Sequence, residues 1–281
     1  MKMNDLGEKF SDIGYYNKQM SLGMVDKLFF VDRIPNNKNY IFVDFGCADG
    51  TLISHLYEIY GDKCSYVGYD ASEQMIEFAK TKFQGNSVDN VIFTTSWEEV
   101  KLRLSSNSET VLILSSVIHE VYSYARNTDD ISTFWKRVLD TGFKYIVVRD
   151  MMLSSSSASR ESSSEAVSKV ETNLDYSKQL SEFEAMWGNI RNNRNLLHFL
   201  LKYRWKINWK REVKENYFPI LIEEFLTKVE SGLKDSYRLD YFEKFRIKFL
   251  EEQIQKDFGI TIEDTTHIKA VFILEEVELP F

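Results

Sequence analysis

Between Tyr40 and Asp150 the chain alternates short apolar runs with amphipathic stretches. The runs YIFVDF (40–45), SYVGYD (65–70), NVIFTT (90–95), TVLILS (110–115) and KYIVVRD (144–150) are almost continuously apolar. That pattern predicts strands buried on both faces of a parallel sheet, because an open face would impose strict alternation. The stretches between them carry helical spacing. Leu52, Ile53, Leu56, Tyr57 and Ile59 form one apolar stripe, and Met75, Ile76, Phe78 and Ala79 form a second, with Ser72 placed as an N-cap. Strands and helices in alternation predict a doubly wound α/β sheet.

The segment SSSSASRESSSE (154–165) interrupts this alternation, and its lack of apolar residues predicts a mobile loop. Beyond it, residues 172–257 read as helices, with stripes from Leu196 to Trp205, from Pro219 to Val229 ended by Gly232, and from Asp240 to Phe258 ended by Gly259. ITIEDTTHIKAVFILEE then returns to two β-prone runs, which predicts the sheet's last two strands within 259–281. The expected division is a core of 1–153 completed by 259–281, and a helical cap of 154–258 inserted between strands five and six.

Composition narrows the class. The formal charge of −8 opposes attraction of the whole surface to nucleic acid or anionic membrane, so any basic contact must be local. Two cysteines, Cys47 and Cys64, do not make a disulfide framework, and no stretch has the length and apolarity of a signal peptide or a membrane span. The expected location is the cytoplasm.

The loop after the first run reads Val43-Asp44-Phe45-Gly46-Cys47-Ala48-Asp49-Gly50-Thr51 and leads straight into a helix. Glycines there let a ligand approach the backbone. Dinucleotide sites share that feature, but an acid at a helix N-terminus repels a pyrophosphate and suits a ligand carrying ammonium and sulfonium groups. Asp49 stands there. The second strand ends in Asp70, twenty positions after Gly50, where an acid can accept both ribose hydroxyls of a nucleoside.

VDFGCADG and YVGYDASEQMIEFA resemble the first and second motifs of class I S-adenosylmethionine-dependent methyltransferases, and the resemblance extends over 40–150. It implies a Rossmann-like seven-stranded, mostly parallel sheet with helices on both faces, and S-adenosyl-L-methionine as cofactor. By that likeness Asp44, Gly46, Cys47 and Gly50 line the methionine end, Asp70 holds the ribose, and Ala71 and Met75 flank the adenine. Where the family commonly places an acid for the adenine amine, this chain has Thr95-Ser96-Trp97. Ser96 is then the expected partner of the base and Trp97 a ring to pack on it or on the core. Ser115 ends the strand that borders the methyl group, and Tyr16, beside Tyr15, is placed to close the site from the amino-terminal side.

Just beyond Ser115 lies Ser116-Val117-Ile118-His119-Glu120. His119 is the candidate base, since an imidazole of ordinary pKa near 6.5 takes a proton at neutral pH, with Glu120 placed to hold it. A packing role for His119 is the alternative. Arg149 and Asp150 end the fifth strand, where they read either as facing the substrate or as an ion pair at the strand end. The absence of D-P-P-Y, N-P-P-Y and Pro-Cys runs argues against methylation of DNA bases, leaving an oxygen or nitrogen of a small molecule as the leading acceptor. The run Lys202-Tyr203-Arg204-Trp205-Lys206-Ile207-Asn208-Trp209-Lys210-Arg211 raises RNA as a second acceptor, because interleaved cations and aromatics grip single strands. Its other reading is a solvated helix end whose cations balance Glu212 and Glu215. A cofactor-binding protein without catalysis is the remaining rival. His198, on an apolar helix, reads as core, and no histidine or cysteine spacing argues for a metal.

Overall fold

The structure, a computed structural model, describes residues 23–83, 89–104, 109–233 and 236–275. The five apolar runs form β1 (Tyr40–Phe45), β2 (Ser65–Tyr69), β3 (Val91–Thr94), β4 (Glu109–Ser115) and β5 (Tyr145–Met151). With β6 (Tyr237–Phe245) and β7 (His267–Leu274) they make a seven-stranded sheet of order β3-β2-β1-β4-β5-β7-β6. Strands β1 to β5 pair in parallel, while β7 runs antiparallel to both β5 and β6. The chain reverses its direction of winding between β1 and β4. A crevice therefore opens where the loops after these two strands part, which is where such sheets bind ligands.

Helices cover both faces. Ahead of the sheet lies the short α1 (Met24–Lys27), and between strands lie α2 (Thr51–Tyr60), α3 (Glu73–Phe83), α4 (Trp97–Arg103), α5 (Ile118–Ser123) and α6 (Thr128–Thr141). Phe42, Tyr66, Ile113 and Val147 pack on Ile53, Leu56, Ile76 and Ala79 of α2 and α3. On the opposite face Val43, Val67, Leu112 and Val148 pack on Trp97 and Val100 of α4 and on Phe134 and Val138 of α6. Burial of a side chain of this kind stabilises by roughly 1.5–3 kcal/mol, which is why both faces of the central strands must be apolar.

The insertion after β5 contains α7 (Ser155–Ala158), α8 (Ser164–Glu171), α9 (Ser177–Trp187), α10 (Asn193–Lys202), α11 (Trp209–Glu212) and α12 (Ile222–Leu233). It has its own core of Phe183, Phe199, Leu200 and Phe218, joined to the sheet through Met151 and Leu153 and completed by α13 (Lys248–Phe258).

Three expectations need correction. The serine-rich stretch is ordered structure, because its hydroxyls cap helices: Ser154 accepts from the amide of Ser157 and Ser163 from that of Ala166, while Ser157 Oγ donates to Asp264 across 2.7 Å. Residues 240–245, expected as helix, belong to β6. That strand lies at the sheet's edge, paired only with β7, so its exposed Arg238, Asp240 and Lys244 dilute the apolar pattern as a helix's polar face would. The sixth strand thus precedes residue 259, and of the two runs expected after it only 267–274 is a strand. Ile260 and Ile262 instead enter the cap's core, and residues 276–281 lie outside those described.

Candidate active site

The loop from β1 to α2 is shaped by left-handed backbone. Gly46 and Gly50 have φ of +78° and +74°, and a Cβ would fall 2.9 Å from Val117 at the first and 2.8 Å from the Phe93 ring at the second. Ala48 takes φ +47° without being glycine, a conformation that costs about 1 kcal/mol or more. Asp70 holds it there. Its Oδ2 accepts from the Ala48 amide at 3.0 Å and its Oδ1 from the Ser72 amide at 2.8 Å, so the acid at the end of β2 clamps the glycine loop to the start of α3. Each carboxylate oxygen keeps a lone pair for another donor. Burial raises the Asp70 carboxyl to about 6, against the two amides that favour its charged form.

Asp44 is buried within the same loop, and burial pushes its carboxyl up to about 7 although the nearby Lys27 charge opposes the rise. Asp49 does not face the cleft as a free acid: its Oδ1 accepts from the amide and hydroxyl of Thr51, and Lys82 lies 3.3 Å from its Oδ2. The Cys47 side chain points into the core, close behind Gly68, and burial raises its thiol pKa. Ser96 caps α4 by accepting from Glu99. Trp97 is core, edge-on to Phe45, Tyr69 and Phe143, with its indole nitrogen buried and unpartnered. It does not offer its face to a ligand above the sheet. Met75 is buried, Ala71 is partly open, and Tyr15 and Tyr16 lie outside the described residues.

At the end of β4, Ser116 takes φ +58° and its amide donates to the Arg149 carbonyl, turning the chain into α5. His119 is thereby buried at that helix's first turn, and Asp150 of β5 holds it. Asp150 Oδ1 lies 2.7 Å from His119 Nδ1, and Oδ2 accepts from the amides of Ile118 at 2.6 Å and His119 at 3.3 Å. Burial alone would lower the pKa of His119, but Asp150 overrides it and the imidazole is held up to about 9. Asp150 rather than Glu120 holds the ring by a hydrogen bond, while the Glu120 charge also raises the imidazole pKa, which stands above its ordinary value. Arg149 and Asp150 do not pair with each other. Alternation along β5 sends Arg149 to the opposite side of the sheet, where its Nη1 donates to Ser116 Oγ at 2.6 Å.

The basic run of 202–211 divides, with Lys202 and Arg211 turned inward, Arg204 half-buried, and Lys206 and Lys210 exposed. Lys202 is fully buried and donates to the carbonyls of Glu212 and Glu215 at 2.8 and 2.6 Å. Arg211, equally enclosed, lies 2.8 Å from Glu215, 3.2 Å from Glu212 and 3.3 Å from Glu120. These cations balance buried acids as one reading expected, but inside the protein rather than in solvent. Of the run's cations only Lys206 and Lys210 are exposed, with Lys206 lying over the Tyr176 ring. Glu215 also approaches His119 Nε2 at 3.9 Å, and His119, Glu120 and Glu215 bring one donor atom each within 4.8 Å of one another, a grouping the sequence reading did not contain. Burial among these acids raises the Glu215 carboxyl. His198 is core as expected, its Nε2 3.0 Å from the Glu215 carbonyl.

Beside His119 lies a cavity of about 80 Å³, bounded by Ser116, Arg149 and His267 at the sheet's edge, Lys27 of α1, and Trp205 and Tyr217 of the cap. A single water needs roughly 10–15 Å³, so the space takes a small ligand or several waters. Lys27 escaped sequence reasoning altogether, and Arg149, Asp150 and Glu215 were read without their partners here, because α1, β5 and the cap meet only in the folded chain.

A glycine loop at the switch point, an acid ending β2 and an antiparallel last strand define a class I methyltransferase fold. The family comparison agrees. Residues 36–216 match the methyltransferase domain family, and the chain belongs to it. No sequence match is found among curated proteins. Among solved structures, a SAM dependent methyltransferase from Aquifex aeolicus shares 13% identity at a TM-score of 0.44, covering 95% of this chain and 99% of its own. The pyocyanin biosynthetic protein PhzM shares 12% at 0.49, with 93% and 59% covered, and the plantazolicin methyltransferase BpumL 11% at 0.48, with 94% and 90% covered.

Proposed function

We propose that the protein transfers a methyl group from S-adenosyl-L-methionine to an oxygen or nitrogen of a small molecule held in the cavity beside His119. The single observation behind the acceptor reading is the placement of His119: a buried imidazole, oriented by Asp150 from behind, facing a cavity enclosed by the cap. A cap closed over the site favours a small acceptor over a polymer.

The residues present fit the cofactor. Asp70 keeps lone pairs for the ribose hydroxyls, Gly46 and Gly50 let the loop take its left-handed turns against Val117 and Phe93, and the buried Ser115 hydroxyl has no partner among the described residues. Asp44 suits the ammonium of the methionine end, Ala71 and Met75 the adenine edge, and the Ser96 hydroxyl a base nitrogen. Bound there, S-adenosylmethionine supplies a methyl group already made electrophilic by its sulfonium. The chain's own task is alignment and proton removal.

His119 performs the second task through Nε2, with Asp150 fixing the ring and its tautomer. Because Asp150 holds the imidazole pKa high, the neutral ring needed as a base becomes abundant only as pH rises toward 9. A hydroxyl acceptor then surrenders its proton to Nε2.

Incubation with methyl-labelled cofactor, followed by separation of metabolites, RNA and protein, tests the reading. Label in small molecules, lost at least a hundredfold in His119→Asn while cofactor affinity is kept, is the expected result, since general-base catalysis contributes about 10²–10⁴. Label confined to RNA would overturn the acceptor class. Tight cofactor binding with no transfer to any fraction would return the non-catalytic reading.

A further inference from the structure

The cavity beside His119 is electrically lopsided. Toward the cap the acids Glu120, Glu212 and Glu215 all contact Arg211, and Asp150 contacts His119. On the opposite wall stand Arg149 and Lys27, and among the described residues no carboxylate lies within 4.0 Å of either. The neighbouring acid, Asp26, is taken by Lys269 at 3.0 Å. Arg149 is 94% buried, since only 6% of its surface is exposed, and its Nε has no hydrogen-bond partner among the described residues. Its one side-chain bond goes to the neutral hydroxyl of Ser116. Burial, and then repulsion from Arg149, lower the Lys27 pKa to about 8, although the charges of Asp44 and Asp49 oppose the fall. Two cations so placed repel each other, and a buried charge without a counter-ion is costly. His267 hydrogen-bonds to Thr266 and burial lowers its pKa well below the ordinary value, so it adds no charge, while Arg204, over the Trp205 and Phe249 rings, adds a third cation to the cavity's lining.

We infer that Arg149 and Lys27 form a carboxylate subsite for the methyl acceptor, which is thus a small organic acid with an apolar body. The planar guanidinium supplies the fork that carboxylates accept, through the Nε edge left unpartnered. The apolar body finds its wall in Met151, Leu201, Trp205, Ile247, Phe249 and Leu250, which line the same cavity. The inference rests on the acceptor reading above but concerns a site whose anion preference is measurable without catalysis. The cofactor's own methionine carboxylate shares this chemistry, so the test separates the two sources.

The full-length protein, without cofactor, is titrated by calorimetry with benzoate, phenylacetate and indole-3-acetate, each against its neutral primary amide. At least one acid should bind tenfold or more tightly than its amide. Arg149→Gln should abolish that preference, Arg149→Lys should keep part of it, and Lys27→Met, at a partly open position, should weaken acid binding severalfold with the fold intact. The affinity for S-adenosylhomocysteine, measured separately, should stay within about twofold in each variant. Equal binding of acids and amides, or no binding of any probe, overturns the inference. A tenfold loss of S-adenosylhomocysteine affinity in Arg149→Gln, with no acid preference in the parent, also overturns it and assigns the subsite to the cofactor. Acid preference in a protein that binds no S-adenosylhomocysteine would support the subsite while removing the methyltransferase reading, so the two failures are distinct.

Discussion

His119 and Asp150 stand 31 positions apart in sequence and 2.7 Å apart in space, with the aspartate carboxylate also accepting the amides of Ile118 and of His119 itself. One acid on β5 thus fixes both the start of α5 and the orientation of the candidate base. Asp150→Asn removes the charge while keeping the shape. The imidazole pKa should drop well below 9, so the alkaline limb of the turnover profile should move to lower pH. Turnover measured from pH 6 to 10 in parent and variant checks this, and coincident profiles would exclude His119 as the base.

The same pair makes a pH-dependent contribution to stability. The folded pKa of His119 is raised, so its contribution is complete below the ordinary value near 6.5 and disappears as pH rises through about 9. The Asp150 carboxyl is lowered, burial opposing and His119 favouring the shift, so its contribution is complete above the ordinary value near 3.9 and is lost as pH falls below it. The stability difference between parent and Asp150→Asn, about 3 kcal/mol for a broken buried pair, should therefore be greatest between pH 4 and 6.5. Urea unfolding at several pH values reads it directly.

Asp70 should bind cofactor only as a carboxylate. Burial raises its pKa to about 6, so affinity for S-adenosylhomocysteine should fall as pH drops below 6. Asp70→Ala should cost at least tenfold in affinity at pH 8, since two hydrogen bonds to a charged group are worth more than 1.4 kcal/mol together. Calorimetry tests both. An unaltered affinity in a folded variant would remove the ribose role.

Charge removal in the cap should divide sharply by burial. Arg211→Gln strands Glu212 and Glu215, and should destabilise by roughly 3–5 kcal/mol. Lys206 and Lys210 are exposed, and neutralising both should change stability by about 0.5 kcal/mol or less. Comparable losses at both places would refute the inward packing of this run.

Gly50→Ala combines a positive φ with a Cβ 2.8 Å from the Phe93 ring. Stability should fall by about 1–3 kcal/mol and cofactor affinity with it. Thermal unfolding with and without S-adenosylhomocysteine separates the two effects.

The sequence by itself determined the elements whose pattern is local. Runs buried on both faces, such as YIFVDF and TVLILS, cannot be mistaken for amphipathic helix, and the glycine loop with Asp70 is set by spacing along one βαβ unit. β6 escaped because an edge strand needs few apolar residues, so YRLDYFEKF blends into the helical period of α13. The serine-rich stretch escaped because its order comes from capping hydroxyls, which composition cannot tell from a loop. Only the tertiary structure decided how the charges pair. Asp150 with His119, Arg211 with three glutamates, and Arg149 with no acid within 4.0 Å among the described residues join strands, cap and loops that sequence distance does not relate. The cost of burying a charge depends on what lies within a few ångströms, and that is set only when the elements pack.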